Sequence, residues 1–319
     1  MIPADPHILQ AGVARSGNMW LYHIISNLLE RSGVEKHSYI KLQPIHSTTK
    51  GWPDPLHRLA DIDTIQFFLS TPFYIIGATF RLPILDFDRY VTSTTHVWTH
   101  SPANQRVQDK ILKFDKVVYI IRDPRDALIS HANFLYAKHM SQLNGSASKT
   151  PSAYISGQLH KATRWWVRHV ASYLTLSLLC PDQVQIVFYE QLREEFTDTV
   201  HKFSSFLDLT TDPNDIAATA EATSFQKLQQ ITGKHLRVGT SNQWVTGLSP
   251  VQQEEVLHIA GPMLDILGYP RTAPVTATIP RLPTMIDRKQ LQQALLSSRR
   301  RTWQEKRHFV AANWRELLR

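Results

Sequence analysis

The sequence predicts an α/β protein with a central parallel sheet flanked by helices. Short apolar runs rich in β-branched residues at His7–Val13, Lys116–Ile121 and Val184–Tyr189 have strand length. Each precedes a segment with helical spacing of apolar residues, at Trp20–Glu30, Pro124–Phe134 and Glu190–Leu207. Strands separated by helices pair in parallel, and helices then cover both faces of the sheet.

In the first unit, Trp20, Leu21, Ile24, Ile25, Leu28 and Leu29 form one apolar stripe behind the turn Gly12-Val-Ala-Arg-Ser-Gly17. A turn from strand to helix converges free backbone N–H groups and the positive end of the helix dipole on one spot. The Gly-x4-Gly spacing is the first half of a phosphate-binding loop, and by itself fits a tight connection equally well. Asn18 and Met19 stand where a nucleotide triphosphatase needs Lys and then Ser or Thr, which speaks against an ordinary ATPase or GTPase. In the second unit Arg122 directly follows the strand, and Ser130 lies about two helical turns along. Either the two grip one anion from two sides, or Arg122 and Arg125 pair internally with Asp123 and Asp126.

Between Ser38 and Thr95 the rhythm is lost among Pro and aromatic residues, so residues 38–95 are expected as an insertion that lids the loop end of the sheet, where open α/β sheets bind ligands. Within it, the apolar run Thr64–Phe80 reads as a buried wall or apolar flap; Gln66, Pro72 and Gly77 keep it from spanning a bilayer. Residues 1–270 form the expected main domain, and residues 271–319 a Pro/Thr-rich linker through Pro283 and a basic helical tail, Asp287–Arg319. The net charge of +8 is concentrated there: from Arg288 onward nine Lys/Arg face two Asp/Glu. The basic pI therefore describes the tail, and a nucleic-acid partner is not expected. The tail packs on the domain or a second subunit, or offers a basic surface; the oligomeric state stays open, a homo-oligomer included. The single cysteine, Cys180, and the absence of a basic-then-apolar leader or membrane span point to a reducing, cytoplasmic setting.

The two loops together resemble the sulfotransferases that use 3′-phosphoadenosine 5′-phosphosulfate (PAPS). The family's Pro-Lys-Ser-Gly-Thr-Thr-Trp loop corresponds to Ala14-Arg15-Ser16-Gly17-Asn18-Met19-Trp20, and its Arg followed eight residues later by Ser to Arg122 and Ser130. Thr99-His100-Ser101-Pro102, Phe188-Tyr189-Glu190, and Thr223-Ser224-Phe225 ahead of Arg237-Val238-Gly239 and Trp244 follow in family order. The resemblance implies a P-loop-like three-layer fold and a PAPS site that releases 3′-phosphoadenosine 5′-phosphate (PAP), with no metal. It places the 5′-phosphosulfate on Arg15 to Met19, the adenine between Trp20 and Phe225, and the 3′-phosphate on Arg122, Ser130 and Arg237 to Gly239. Tyr189 and Thr223 join the nucleotide site, His100 becomes the general base, and Arg15 replaces the family's lysine as the cation on the leaving group.

Three departures are expected to matter. Asn18 and Met19 remove two phosphate-binding hydroxyls, leaving the amide of Asn18 and the backbone as donors, and Trp98 replaces a lysine two residues before the histidine. Trp98, Phe67, Phe68, Phe73, Tyr74, Phe80, Phe134 and Tyr136 either line an acceptor pocket or belong to the core. The acceptor is a small molecule of specialised metabolism, sulfated on a hydroxyl or a nitrogen. A P-loop kinase and a non-catalytic nucleotide or nucleic-acid binder are the competing readings; Asn18 opposes the first and His100 the second.

Overall fold

The computed structural model describes residues 6–52, 56–77, 80–136, 150–232, 239–273 and 279–299. In chain order the strands are β1 (Ile8–Gly12), β2 (Thr64–Phe68), β3 (Thr71–Ile76), β4 (Phe80–Pro83), β5 (His96–Thr99), β6 (Lys116–Ile121) and β7 (Val184–Phe188). They form one seven-stranded sheet in the order β4-β3-β2-β5-β1-β6-β7. β1 lies between β5 and β6, and the pairings from β2 through β7 are all parallel. β3 and β4 continue the sheet antiparallel beyond β2. The segment expected as a lid therefore contributes three strands to one edge of the sheet. Its pattern is irregular because edge strands are only partly buried and a hairpin turns at the exposed Phe68 and Leu69.

The longer helices are α1 (Asn18–Arg31), α2 (Pro124–Leu135), α3 (Pro151–Leu179), α4 (Tyr189–Glu194), α5 (Phe196–Phe206), α6 (Pro213–Ala222), α7 (Phe225–Thr232), α8 (Pro250–Leu267) and α9 (Arg288–Arg299). The single helix expected over Glu190–Leu207 is thus two, broken where Glu195 leaves helical geometry at φ −133° and ψ 47°. No Pro or Gly marks the break. After it, Phe196 stacks on Trp20 at 6.1 Å between centroids, a tertiary contact that local sequence does not announce.

Alternation along the central strands divides the core between the two faces. Leu9 and Ala11 of β1, with Val117, Tyr119 and Ile121 of β6, join the cluster that packs against α3, α8 and α9. Ile8, Val118 and Ile120 face the other way, onto Leu21, Ile24, Ile25, Leu28 and Leu29 of α1. Each of these α1 residues is fully buried, contributing about 1.5–3 kcal/mol by removal from water. The stripe predicted for α1 is therefore what holds this helix to the sheet. In the tail, Leu291 and Ala294 of α9 belong to the main core cluster, and Arg164 Nε donates to the Ser298 carbonyl at 2.8 Å. Residues 300–319 lie outside the described residues, as does the Arg300-Arg301 part of the basic run.

Candidate active site

The turn between β1 and α1 is shaped by two glycines and an arginine. A Cβ on Gly12 would meet Asn18 Oδ1 at 2.4 Å and Ile120 Cγ2 at 2.6 Å, so β1 can end against β6 only without a side chain. Gly17 has φ +97°, and a Cβ there would come within 2.6 Å of the Tyr189 ring. Arg15 also adopts positive φ, 69°, which a non-glycine residue holds only when its surroundings compensate. Here its carbonyl accepts from Arg122 Nη1 at 3.1 Å, its Nε donates to Ser130 Oγ at 3.3 Å, and its guanidinium lies 4.5 Å from the Phe134 ring centroid. Ser130 and Phe134, four residues apart on α2, form the surface that positions Arg15. Helix α1 starts at Gly17 with no side-chain cap and no acidic residue in its first turn. Its first N–H groups have no intrahelical partner and form the positive end of the helix dipole, as anion binding requires.

Gly17→Ala is expected to abolish nucleotide binding at accessible concentrations and to cost about 1–3 kcal/mol of stability, through strain at positive φ and the clash with Tyr189. Calorimetric titration and thermal melts of the variant check both; wild-type binding would mean that the turn tolerates the side chain.

The sequence left two readings of the Arg122–Asp126 segment, and the structure divides it between them. Arg125 takes the internal role: fully buried, it pairs with Asp123 Oδ2 at 2.6 Å, donates to the Pro270 carbonyl at 2.7 Å and packs 3.6 Å from the Trp244 ring centroid. Asp126 accepts from the backbone N–H groups of Asn242 and Trp244 at 2.7 and 3.0 Å, tying the loop after Gly239 to the start of α2. Burial, and then the Asp123 charge, push the Asp126 carboxyl up to about 6. Arg122 instead faces the cavity. It donates to the carbonyls of Arg15 and Thr240, lies 4.3 Å from the Tyr189 ring centroid, and keeps its Nε buried with no partner. An unpartnered buried donor on a guanidinium costs free energy unless a ligand satisfies it.

One cavity of about 670 Å³ runs along the loop ends of the sheet. Arg15, Gly17, Asn18, Met19 and Trp20 line it from the first loop, and Arg122 and Ser130 from the second. His100, Tyr189, Thr223, Phe225 and Gly239 complete the sequence-predicted set that reaches it. Ser16 does not line it; its side chain is buried beneath the loop with Oγ unpartnered. Arg237 and Val238 lie outside the described residues. Asn18 directs Nδ2 to the Val13 carbonyl at 2.8 Å, so the amide expected to face phosphate also staples its own loop. The Thr223 hydroxyl, at the C-terminal cap of α6, donates back to the Thr219 carbonyl at 2.7 Å.

Of the aromatic residues considered for an acceptor pocket, Trp98 and Phe134 line the cavity. Tyr74 belongs to the core, Phe67 packs against it, and Phe68 is exposed at the hairpin tip. Phe80 lies against Trp52 at 5.3 Å. The apolar wall is made instead by Leu59, Ile65 and Ile75. Which face of an edge hairpin meets a cavity is a matter of register, and composition does not carry it.

His100 follows β5. Its ring is accessible from the cavity, and its Nδ1 lies 2.6 Å from the Gly12 carbonyl. A carbonyl only accepts, so Nδ1 carries the proton and Nε2 is left with the lone pair. Surrounding protein, and then the Arg15 charge, hold the imidazolium pKa below the usual histidine value, whereas the bond to Gly12 opposes that shift. His131, which also lines the cavity, is pushed down to about 4 by burial and then by Arg15 and His100. Sequence reasoning did not single out His131, although it directly follows Ser130.

The more consequential omission was α3. Trp166 Nε1 donates to the Arg122 carbonyl at 3.0 Å, Tyr173 OH to the Ser101 carbonyl at 3.0 Å, and Ser172 Oγ accepts from Ala103 N at 2.9 Å. His169 Nε2 lies 3.1 Å from the His100 carbonyl, and its Nδ1 lies 2.9 Å from Tyr119 OH. The carbonyl again fixes the tautomer: Nε2–H donates to it and Tyr119 donates to Nδ1. Burial holds His169 down to about 3, so it stays neutral in this relay. One helix thus fastens the segment that carries Arg122 and the one that carries His100. The spacing Trp166, His169, Ser172, Tyr173 is a helical face and was the available signal.

His169→Phe leaves the His100 carbonyl and the Tyr119 hydroxyl without this partner. It is expected to lower the melting midpoint, at a cost of about 1–3 kcal/mol, and to lower kcat more than nucleotide affinity. Measuring kcat alongside the nucleotide Kd tests the positioning role; equal losses in both would reduce it to general destabilisation.

Among the described residues no group of three or more His, Cys, Asp or Glu is placed to hold a metal. Among them, too, no helix is long and apolar enough to cross a membrane.

A family model for the sulfotransferase domain matches residues 5–256. Cytosolic sulfotransferase 5 of Arabidopsis thaliana is 26% identical over 206 residues, 64% of this chain and 57% of that protein. Cytosolic sulfotransferase 15 of the same organism is 24% identical over 270 residues, 78% of this chain and 69% of that protein. The match therefore spans less than two thirds of the first relative's length. Among solved structures, mouse sulfotransferase SULT7A1 complexed with PAP superposes with a TM-score of 0.55 at 18% identity, covering 82% of this chain and 84% of that one. Retinol dehydratase in complex with androsterone and PAP gives 0.52 at 14% identity, covering 80% of each. These two likenesses concern the fold, which is the P-loop-like arrangement expected from the sequence. With the domain match extending over most of the chain, the protein belongs to the sulfotransferase family.

Proposed function

We propose that the protein transfers a sulfuryl group from PAPS to a small-molecule acceptor, with His100 as general base. The observation that carries this reading is a single cavity holding two things: an uncapped helix start beside two arginines, and a histidine whose Nε2 lone pair is left available. Among the described lining residues there is no Asp or Glu, so nothing there opposes a polyanionic nucleotide. The unpartnered Nε of Arg122 supplies a donor that phosphate oxygen would satisfy.

Bound PAPS supplies an electrophilic sulfuryl group on a phosphate leaving group. The backbone N–H groups from Arg15 to Met19 hold the 5′ end, and the Arg15 guanidinium, fixed by Ser130 and Phe134, offsets charge on the leaving oxygen. Arg122, Ser130 and the segment ending at Gly239 hold the 3′-phosphate, with Tyr189 and Thr223 beside them. Trp20 and Phe225 flank the adenine. His100 Nε2 takes the acceptor's proton, and the Gly12 carbonyl keeps the imidazole in the tautomer that can do so. No step calls for a metal in this reading. The cytosolic setting rests on the names of the plant relatives.

The test is calorimetric titration with PAP in EDTA, with ATP as the comparison ligand. Metal-free binding that strongly prefers PAP is expected. A preference for Mg-ATP would transfer the site to phosphoryl transfer, and no binding of either by folded protein would remove the nucleotide site.

A further inference from the structure

The acceptor half of the cavity has a floor made by one row of the sheet. Trp98 of β5 is in register with Thr64 of β2, Thr64 with Ile75 of β3, and Ile75 with Arg81 of β4. All four residues line the cavity. Residues in register across neighbouring strands share a face of the sheet, so this row forms a continuous surface. It begins two residues before His100, crosses Thr64 and the apolar Ile75, with Leu59 also lining the cavity, and ends at an arginine. Three strand spacings separate the ends, roughly 14 Å between backbones and less between side chains that reach inward.

The arginines of the cavity are not equivalent. Arg15 is held by Ser130 and Phe134, Arg122 by two carbonyls and Tyr189, and Arg193 lies 3.2 Å from Glu194. Arg81 has no ion pair or hydrogen bond through its side chain among the described residues, and no Asp or Glu among them lines the cavity with it. Among the described lining residues, a protonated amine entering this space would meet only positive charge and neutral groups. An apolar molecule with an anionic oxygen group at one end would find its complement at the end remote from His100.

We infer that the acceptor is a hydroxylated apolar carboxylic acid, its hydroxyl at His100 and its carboxylate at Arg81; this rests on the sulfotransferase reading of the same cavity. Arg81 is then a specificity-determining residue. The guanidinium offers a planar fork of donors that matches a carboxylate and discriminates it from the isosteric neutral amide. Charge-assisted hydrogen bonds at a partly screened edge correspond to about a tenfold preference. The inference also separates the open choices for the nucleophile, favouring a hydroxyl over a basic nitrogen.

The experiment uses the full chain saturated with PAP, which removes any need for turnover. Hydroxy acids of about eight to twelve carbons, chosen to match the span of the floor, are titrated calorimetrically beside their primary amides. 4-Hydroxyphenylalkanoic acids and their amides provide an aromatic series. The expected result is that at least one acid binds about tenfold or more tightly than its amide, and that Arg81→Gln removes the difference while leaving PAP and amide affinities unchanged. Equal binding of every acid and amide to the wild type would overturn the inference, as would a preference that survives in Arg81→Gln, or failure of every acid to bind a complex shown to hold PAP. Failure of PAP itself to bind is seen in the preceding titration and overturns the underlying reading, and this inference with it.

Discussion

Replacing His100 with alanine is expected to lower turnover at least about 100-fold while PAP affinity stays within about threefold of wild type. The side chain reaches the cavity from the loop after β5, and its ring is bonded to the Gly12 carbonyl. That bond orients the imidazole without being part of the proposed anion cradle, so deleting the ring should remove the proposed proton acceptor and spare the proposed nucleotide site. The pH profile gives the same assignment a second test. Desolvation by the surrounding protein, opposed by the Gly12 bond and reinforced by Arg15, lowers the His100 pKa from 6.5, so the neutral base persists as pH falls below the ordinary histidine range. Turnover of an alcohol acceptor should therefore hold at pH 6.5 and decline only at lower pH, as Nε2 becomes protonated. Sulfation rates with saturating PAPS across this range check the sign. A decline centred above pH 6.5, or near-normal turnover in His100→Ala, would take His100 out of the base role.

Arg122→Ala is expected to weaken PAP about 100-fold, and adenosine 5′-phosphosulfate, which lacks the 3′-phosphate, by about tenfold or less. The larger figure combines loss of the phosphate partner with loss of the anchor on Arg15 and Thr240. Only the second loss affects a ligand without a 3′-phosphate. Arg122→Lys is expected to recover little, because one ammonium cannot replace a planar guanidinium that serves two carbonyls, a tyrosine face and a ligand together. Competitive titration with the two nucleotides measures the difference; equal weakening would move the 3′-phosphate away from Arg122.

Much of the central architecture was legible because it is written in short-range periodicity. The strand Lys116–Ile121 and the helix behind it were read with little or no boundary error, since a parallel strand buried on both faces is a continuous apolar run and Pro124 marks the helix start. Strand β5 was not legible: His96-Val-Trp-Thr99 alternates no apolar face, although every one of its residues is buried. Helix α3 was obscured in a similar way, because Thr163 and His169 interrupt its buried stripe. His169 is buried there because its partners, Tyr119 and the His100 carbonyl, come from elsewhere in the fold, and partners at long range leave no local pattern.

The sequence by itself determined the α/β class, the two loops that meet at the cavity and the family those loops resemble. It determined these because a phosphate-binding turn is a local object, whose glycines and helix start are contiguous in the chain. Only the tertiary structure decided which arginine of the Arg122–Asp126 segment faces the cavity and which is buried in an ion pair. It also decided that His100 carries its proton on Nδ1, through a carbonyl 88 residues away in sequence, and that an edge strand brings Arg81 to the far end of the same floor. Tautomer, charge partner and strand register depend on what packing brings within a few ångströms, and residues far apart in the chain supply it.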